Sequence, residues 1–255
     1  MLGLKIYKIT VRVISPINQV ITKLLNLYLN FSNRKAGKIL VYSDSRGLNC
    51  EQPWKIKNYR HTYAHLLNKK YNVKLVLAPH NFTTLLDFVK FLECNDEKFD
   101  AIVAHVGIVD FAPRPVSSYQ NMISSKLKVM EELHLYTNGT RYDEIYESEH
   151  TISFADDAYI QEISSRLQRY KNIVFVNTNL VNLEYRGNYW RPRPENINLQ
   201  KNLELKFLRN FNGLVVDMDK AICDRQQEFT VDNVHLNRKG HRLLFRLLSN
   251  PGILS

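Results

Sequence analysis

Two widely separated segments carry residue types that could act together as a nucleophile and its base. Ser45 follows the mostly apolar run 38–42 in a turn of small polar residues, which predicts a buried strand that ends in a tight turn. Asp232 and His235 lie three residues apart before the last predicted helix. A serine hydroxyl is a weak nucleophile at neutral pH and needs an oriented base. We therefore expect Ser45 to be the nucleophile, His235 its base and Asp232 the carboxylate that orients the imidazole.

The elements between these segments indicate how the residues could meet. Strands are predicted at 38–42, 73–77, 99–105, 173–176 and 214–216, and helices at 59–67, 85–92, 119–133, 158–170, 203–211 and 236–248. Strands that alternate with helices predict an α/β fold, a three-layer sandwich with a central parallel sheet. Ligands of such sheets gather at the carboxyl ends of the strands. The turns with Ser45, with Gly107 to Asp110 and with His235 should therefore share one edge.

Three stretches between the elements are irregular. Residues 135–155 are polar and predict a lid or substrate loop, and residues 112–115 predict a rigid loop because Pro113 and Pro115 continue neither strand nor helix. The third stretch, 177–194, places aromatic residues beside arginines, which suits stacking on sugar rings or binding of acidic groups. A solvated loop with its aromatics against the core is the alternative. Its aromatic and arginine residues are Tyr185, Arg186, Tyr189, Trp190, Arg191 and Arg193.

Three motifs, in this order along residues 38–248, resemble the SGNH (GDSL) hydrolase family. They are Ser43-Asp44-Ser45 after the first strand, Gly107-x-x-Asp110 after a middle strand, and Asp232-x-x-His235-Leu-Asn-x-x-Gly240 near the C-terminus. The resemblance implies an SGNH-hydrolase-like (flavodoxin-like) sandwich and the same three catalytic residues. It also implies an esterase, deacetylase or sugar O-acyltransferase that needs no metal or other cofactor.

The middle motif departs from the family pattern. Where the family has an asparagine whose side chain donates to the oxyanion, this chain has Val109, which cannot donate. The backbone N–H groups of Ser45 and of the turn 78–81 are candidate donors. We expect the side chain of Asn81 to replace the missing asparagine.

Three further residues are candidates for oxyanion stabilisation or substrate binding. Gly107 and Asp110 belong to the middle motif, and Arg46 follows the nucleophile. For Asp110 the alternative is an anchor for the loop around Pro113. For Arg46 the choice lies between an ion pair with Asp110 and an anionic substrate.

The N-terminal segment 1–36 differs from the predicted single domain at 37–255. The chain has a net charge of +10, and no acidic residue precedes Asp44. From Ile17 to Phe31 apolar residues recur at helical spacing. Charges and Pro16 interrupt this run, so the segment is not expected to span a bilayer. It could lie on an anionic membrane surface or pack on the domain or a second subunit.

Together these features predict a serine-dependent acyl-ester enzyme that acts on a carbohydrate, an anionic surface polysaccharide or a lipid-linked glycan. It would hydrolyse the ester or transfer the acyl group from a donor. The three scattered cysteines predict a reducing compartment, the cytoplasm, with peripheral contact at the inner face of the membrane. The alternative is a catalytically drifted glycan-binding or scaffold protein. Nucleic acid is not an expected partner, because no recognition motif accompanies the charge.

Overall fold

A five-stranded parallel sheet forms the centre of the computed structural model, which describes residues 2–51, 58–126, 132–136, 138–188 and 193–254. The described strands are β1 (Lys38–Ser43), β2 (Asn72–Leu77), β3 (Ala101–His105), β4 (Arg114–Pro115), β5 (Thr140–Tyr146), β6 (Glu149–Ser153), β7 (Ile173–Val176) and β8 (Leu214–Val216). The described α-helices are α1 (Leu2–Ser32), α2 (Tyr63–Asn68), α3 (Leu85–Glu93), α4 (Ile108–Phe111), α5 (Val116–Lys126), α6 (Asp157–Leu167), α7 (Gln200–Arg209), α8 (Met218–Ile222), α9 (Gln226–Phe229) and α10 (Arg238–Leu248).

The order of the central strands is β2-β1-β3-β7-β8, and all neighbours are parallel. This order is that of a doubly wound, flavodoxin-like sheet. The prediction of an α/β three-layer sandwich is therefore confirmed. The strands predicted at 173–176 and 214–216 have the observed bounds.

Alternate residues of the central strands build two apolar layers, as the period of a strand requires. On one side, Leu40 and Ile102 belong to a buried cluster that includes residues of α3, α6 and α7. On the other side, Ile39 and Val103 belong to a cluster with residues of α2 and α10. Burial on both faces explains why these strands are almost continuously apolar.

Capping side chains decide where several helices begin. Thr84 and Asp87 form a reciprocal capping box at the start of α3. Thr62 caps α2, which therefore begins four residues later than predicted. The helix predicted at 119–133 is observed as α5, and residues 127–131 lie outside the described part of the chain.

A small antiparallel sheet with the order β4-β6-β5 corrects two predictions. Residues 135–155 are not wholly irregular, because β5 and β6 form a hairpin. The two residues of its turn, Glu147 and Ser148, both have positive φ angles, a conformation that is usually signalled by glycine or asparagine. The loop around Pro115 also pairs with this sheet. The proline lies in an edge strand, where its lack of a backbone N–H is tolerated.

The long helix α1 packs beside the edge strand β2 and the helix α2. Within the part of the chain that the structure describes, no helix combines the length and apolar character needed to cross a membrane.

Candidate active site

The three side chains expected to cooperate form one chain of hydrogen bonds at the carboxyl edge of the sheet. The Ser45 hydroxyl oxygen lies 2.8 Å from Nε2 of His235. The other ring nitrogen of His235, Nδ1, lies 2.7 Å from Oδ2 of Asp232. The predicted convergence of two segments that are 190 residues apart is thus present in the structure. This order of hydroxyl, imidazole and carboxylate is the one that activates a serine.

Ser45 is exposed to solvent, whereas the other residues of its turn are buried. It begins a short 3₁₀ turn, Ser45–Gly47, directly after β1. Asp44 and Arg46, which flank it, are only 1% and 3% exposed. Asp44 accepts hydrogen bonds from the backbone N–H of Arg46 and from two nitrogens of its guanidinium. This local ion pair fixes the turn so that the hydroxyl points outward.

The Asp232 carboxylate holds His235 through both of its oxygens. Oδ2 takes the ring contact, while Oδ1 accepts the backbone N–H groups of Val234 and His235. Burial alone would raise the pKa of Asp232, but the charge and hydrogen bonds of His235, aided by Arg193, lower it to about 2. A guanidinium nitrogen of Arg193 lies 4.0 Å from the carboxylate. Asp232 is therefore ionised at neutral pH and favours the His235 tautomer that leaves Nε2 free to accept a proton.

Asn233 lies between Asp232 and His235 and ties their turn to a neighbouring loop. Its φ angle is +75°, in the left-handed region that asparagine tolerates better than most residues. Its side-chain amide donates to the carbonyls of Asn182 and Tyr185, and its side-chain oxygen accepts from the N–H of Asn182. Asn233 was not among the predicted site residues. An asparagine inside the motif was its only signal.

The loop rich in aromatics and arginines contacts the segment that leads into the His235 turn. The Tyr185 hydroxyl donates to the carbonyl of Thr230, and the N–H of Asn188 donates to that of Val231. The side chain of Asn188 also donates to the carbonyl of Cys50, beyond the nucleophile turn. Gly187 has a φ of +57°, and a Cβ there would lie 2.0 Å from the Val231 carbonyl oxygen. Only glycine permits this close approach of the two loops.

The part of that loop from 189 to 192, with Tyr189, Trp190 and Arg191, lies outside the described residues. Arg193 follows it and stands beside Asp232. The expected role of the loop in sugar binding therefore stays a prediction.

Two candidate binding residues are buried and engaged elsewhere. Arg46 pairs with Asp44, so of its two alternatives the ion pair with Asp110 is wrong, and the anionic substrate stays a prediction. Asp110 is fully buried and accepts the N–H of Leu85 and the hydroxyl of Tyr159. Burial raises the pKa of Asp110 to about 7, although both of these hydrogen bonds act to lower it. Because it holds the start of α3 and the side of α6, Asp110 is placed to support the fold beneath the site.

The expected oxyanion donors are only partly available. Ala78 donates its N–H to the carbonyl of Ser43, His80 donates to the Thr83 hydroxyl, and Pro79 has no N–H. Asn81, the fourth residue of that turn, is exposed, and its predicted role stays a prediction. Val109 is buried in the apolar cluster.

Gly107 precedes α4 with a φ of +115°, where a Cβ would come within 2.9 Å of the ring of Phe111. The glycine of the middle motif is thus required by the backbone. This requirement alone explains why the residue stands there, and a role toward substrate stays a prediction.

Two buried histidines that the sequence analysis did not assign lie beneath the triad. His105 ends β3, and its Nδ1 lies 3.2 Å from the hydroxyl of Tyr63. Burial and the charge of Arg46 lower the pKa of His105. Burial lowers that of His241, which stacks on Tyr63, to about 4. Both rings are therefore neutral at pH 7 and add no charge behind His235.

Comparison with known proteins gives similar structures but no family assignment. No family model matches the sequence, and no curated protein matches it. Similar solved structures include an α/β hydrolase enzyme from the metagenome of Lake Arreo, Spain, a lipase/acylhydrolase from Enterococcus faecalis and a member of the lipolytic G-D-S-L family from Veillonella parvula. Their sequence identities are 16%, 16% and 10%, and their TM-scores are 0.47, 0.46 and 0.46.

These likenesses cover 86%, 83% and 84% of this chain and 96%, 93% and 97% of the respective structures. The family that the sequence motifs resemble is thus represented among the structural neighbours. With TM-scores below 0.5, the likenesses carry no argument about the reaction or the substrate.

Proposed function

We propose that this protein is a serine-dependent acyl-ester enzyme of the SGNH type. The observation that carries the proposal is the continuous contact from the Ser45 hydroxyl through the His235 ring to the Asp232 carboxylate. The nucleophile is exposed, while the residues that hold it are buried. An ester can therefore reach the hydroxyl without a rearrangement of the turn.

The reaction would proceed in two halves. His235 Nε2 takes the proton of Ser45 as its oxygen forms a bond to the acyl carbon, and Asp232 stabilises the imidazolium. His235 then gives the proton to the leaving alcohol as the ester bond breaks, which leaves an acyl group on Ser45. Water, deprotonated by His235, attacks this acyl-enzyme, and the proton returns to Ser45. The sum of the two halves is ester plus water to carboxylic acid plus alcohol.

The developing oxyanion needs donors near Ser45. Among the described residues, the backbone N–H of Ser45 is not used in another hydrogen bond, so it can serve. We infer that Asn81, at the end of the turn that follows β2, supplies a second donor. Losing one donor typically costs about 2.7–4 kcal/mol of transition-state stabilisation. Because Val109 cannot donate, the rate of the reaction depends on whether another group supplies this hydrogen bond.

The finer proposal is that the ester belongs to a carbohydrate. Its support is the loop that carries Tyr185, Arg186 and Arg193, because the described part of this loop contacts both the His235 turn and Cys50, just after the nucleophile turn. Aromatic rings and guanidinium groups suit sugar faces and acidic substituents. A surface polysaccharide or lipid-linked glycan offers both. Transfer of the acyl group to a sugar hydroxyl instead of water uses the same triad and is the variant of this proposal that requires an acyl donor.

The test is hydrolysis of esters by the full chain. We expect turnover of p-nitrophenyl acetate and release of acetate from an acetylated oligosaccharide, with kcat/KM at least about 10³-fold lower in Ser45→Ala. Ser43→Ala is the matched control, because this serine two residues earlier is buried and its hydroxyl donates to the Asp44 carbonyl. A folded wild type that turns over no ester, or a Ser45→Ala variant as active as the control, would reject the proposal.

The alternative of a drifted binding protein rests on Val109, which fills the position of the family donor with an apolar side chain. The same assay separates the two. Binding of the acetylated oligosaccharide without turnover, unchanged in Ser45→Ala, is the result that would favour the binding protein.

A further inference from the structure

The long helix α1 faces the rest of the protein with its polar side. Its second half places Asn26 and Asn30 against the domain, and Asn33 follows directly after the helix. Leu25 packs against the core, but most of the large apolar side chains of this half are exposed. A surface helix of a globular protein normally does the reverse. This inverted arrangement needs a physical explanation.

Specific hydrogen bonds fix the inner face of α1. Asn30 accepts the N–H of Val73 at 2.8 Å and donates to its carbonyl at 3.0 Å, as a neighbouring strand would. Asn26 donates to the same carbonyl and to the side chain of Asn68. Asn33 donates to the backbone carbonyl of Asn68 at 2.7 Å. Asn26 and Asn30 thus occupy the free edge of β2, which would otherwise be open to pairing, and Asn33 binds α2.

The outer face of α1 is consequently a continuous apolar stripe. Its residues recur every three or four positions, which places them on one side of the helix. They are 41–71% exposed, and Phe31 is the most exposed of them. We call this surface the outer stripe. Its members are Val13, Ile17, Val20, Ile21, Leu24, Leu27, Tyr28 and Phe31.

The charge around the outer stripe has one sign. No acidic residue occurs before Asp44, whereas Lys23, Arg34 and Lys35 are exposed along or just after the stripe. Lys69 and Lys70 are exposed next to Asn68, to which the helix is bound. Two copies joined through this surface would bring like charges together, whereas an anionic surface would neutralise them.

We propose that the outer stripe of α1 binds the surface of a membrane that contains anionic phospholipids. The helix lies flat, with the stripe among the acyl chains and the basic residues at the level of the headgroups. Tyr28 and Phe31 suit the boundary between headgroups and acyl chains, where aromatic rings concentrate. The asparagine contacts keep the catalytic domain attached to the bound helix. The enzyme would thereby meet esters of membrane-linked substrates at the bilayer surface.

The test is flotation of the full chain with vesicles. Vesicles of phosphatidylcholine with phosphatidylglycerol are compared with vesicles of phosphatidylcholine alone, at low and at high salt. We expect the wild type to float with the anionic vesicles and to be released in part by salt. The variant Leu24→Gln/Leu27→Gln/Phe31→Gln should bind at least about tenfold more weakly. These side chains are exposed, so the variant should fold.

The control is Leu205→Gln/Leu214→Gln, which replaces two leucines elsewhere on the chain that are 48% and 47% exposed. It should float like the wild type. Equal flotation of the stripe variant and the control would overturn the proposal, as would no flotation of the wild type. A dimer in analytical ultracentrifugation that the stripe variant abolishes, without vesicle binding, would assign the stripe to a second copy instead. Ester hydrolysis in solution, measured on each variant, keeps failure of this proposal separate from failure of the catalytic one.

Discussion

The two turns that build the triad are held in different ways. The Ser45 turn is fixed by its own neighbours, since Asp44 and Arg46 pair across one intervening residue and bury their charges. The His235 turn is fixed from a distance, because Asn233 bonds to carbonyls 48 and 51 residues earlier in the chain. Ser45 is thus placed by local structure and His235 by tertiary contacts. Changes to remote loops should therefore move His235 before they move Ser45.

The largest effect on stability is expected where the local turn loses its charge balance. Asp44→Asn preserves the shape of the side chain but leaves the buried Arg46 guanidinium without a carboxylate. Breaking a buried pair in this way costs about 3–5 kcal/mol. We expect the free energy of unfolding, measured by urea titration, to fall by that amount.

The control for this prediction removes both charges. Asp44→Leu/Arg46→Met leaves no uncompensated ion, so it should lose less stability than the single variant. A loss in Asp44→Asn no greater than in the double variant would show that the Ser45 turn does not depend on the pair.

The next effect concerns the acid stability of the His235 turn. The pKa of Asp232 is lowered from 3.8 to about 2 in the folded protein, so this carboxylate stabilises the fold above about pH 4 and loses that contribution as pH falls through 2. This contribution is about 2 kcal/mol, because a difference of one in pKa corresponds to about 1.4 kcal/mol. Asp232→Asn lacks the titrating group. The difference in unfolding free energy between wild type and Asp232→Asn should therefore shrink by about that amount between pH 5 and pH 2.

Urea titrations of both proteins across this pH range give the measurement. A difference that stays constant with pH would mean that the contacts to His235 do not stabilise the ionised carboxylate.

The smallest effect separates the backbone of Asn233 from its side chain. Asn233→Gly and Asn233→Ala both lose the bonds to Asn182 and Tyr185. Only alanine adds the cost of a Cβ in the left-handed region, about 1–2 kcal/mol. We expect the alanine variant to melt below the glycine variant, and kcat to fall in both because His235 is less well placed. Equal melting temperatures would show that a Cβ at residue 233 is not strained in the left-handed region. An unchanged kcat would show that Asn233 does not help to place His235.

The same contrast between local and remote contacts explains what could be predicted from the sequence. The five strands of the central sheet and the meeting of Ser45, His235 and Asp232 depend on short patterns, and the structure has them close to where they were predicted. The pair of Arg46 with Asp44 is also local. The pair was not predicted, because residues two positions apart can form an ion pair only if the backbone between them bends sharply. The types of the residues do not reveal such a bend.

The features that sequence could not supply are those that depend on distant partners. The contacts of Asn233 and the approach of Gly187 to Val231 require knowing which loops meet. The hairpin turn at Glu147 and Ser148 lacks the usual residues for its conformation. For α1, helical spacing identified an apolar stripe, but the edge strand that binds the asparagines decides which side faces inward.

The most direct test of the triad is the reaction of the full chain with a fluorophosphonate, followed by peptide mass spectrometry. The observed geometry predicts one phosphonyl group, attached to Ser45, and a labelling rate that drops at least about 10³-fold in His235→Ala because the hydroxyl loses its base. A label on another residue, or equal labelling rates in the wild type and His235→Ala, would contradict the assignment of Ser45 as a nucleophile activated by His235.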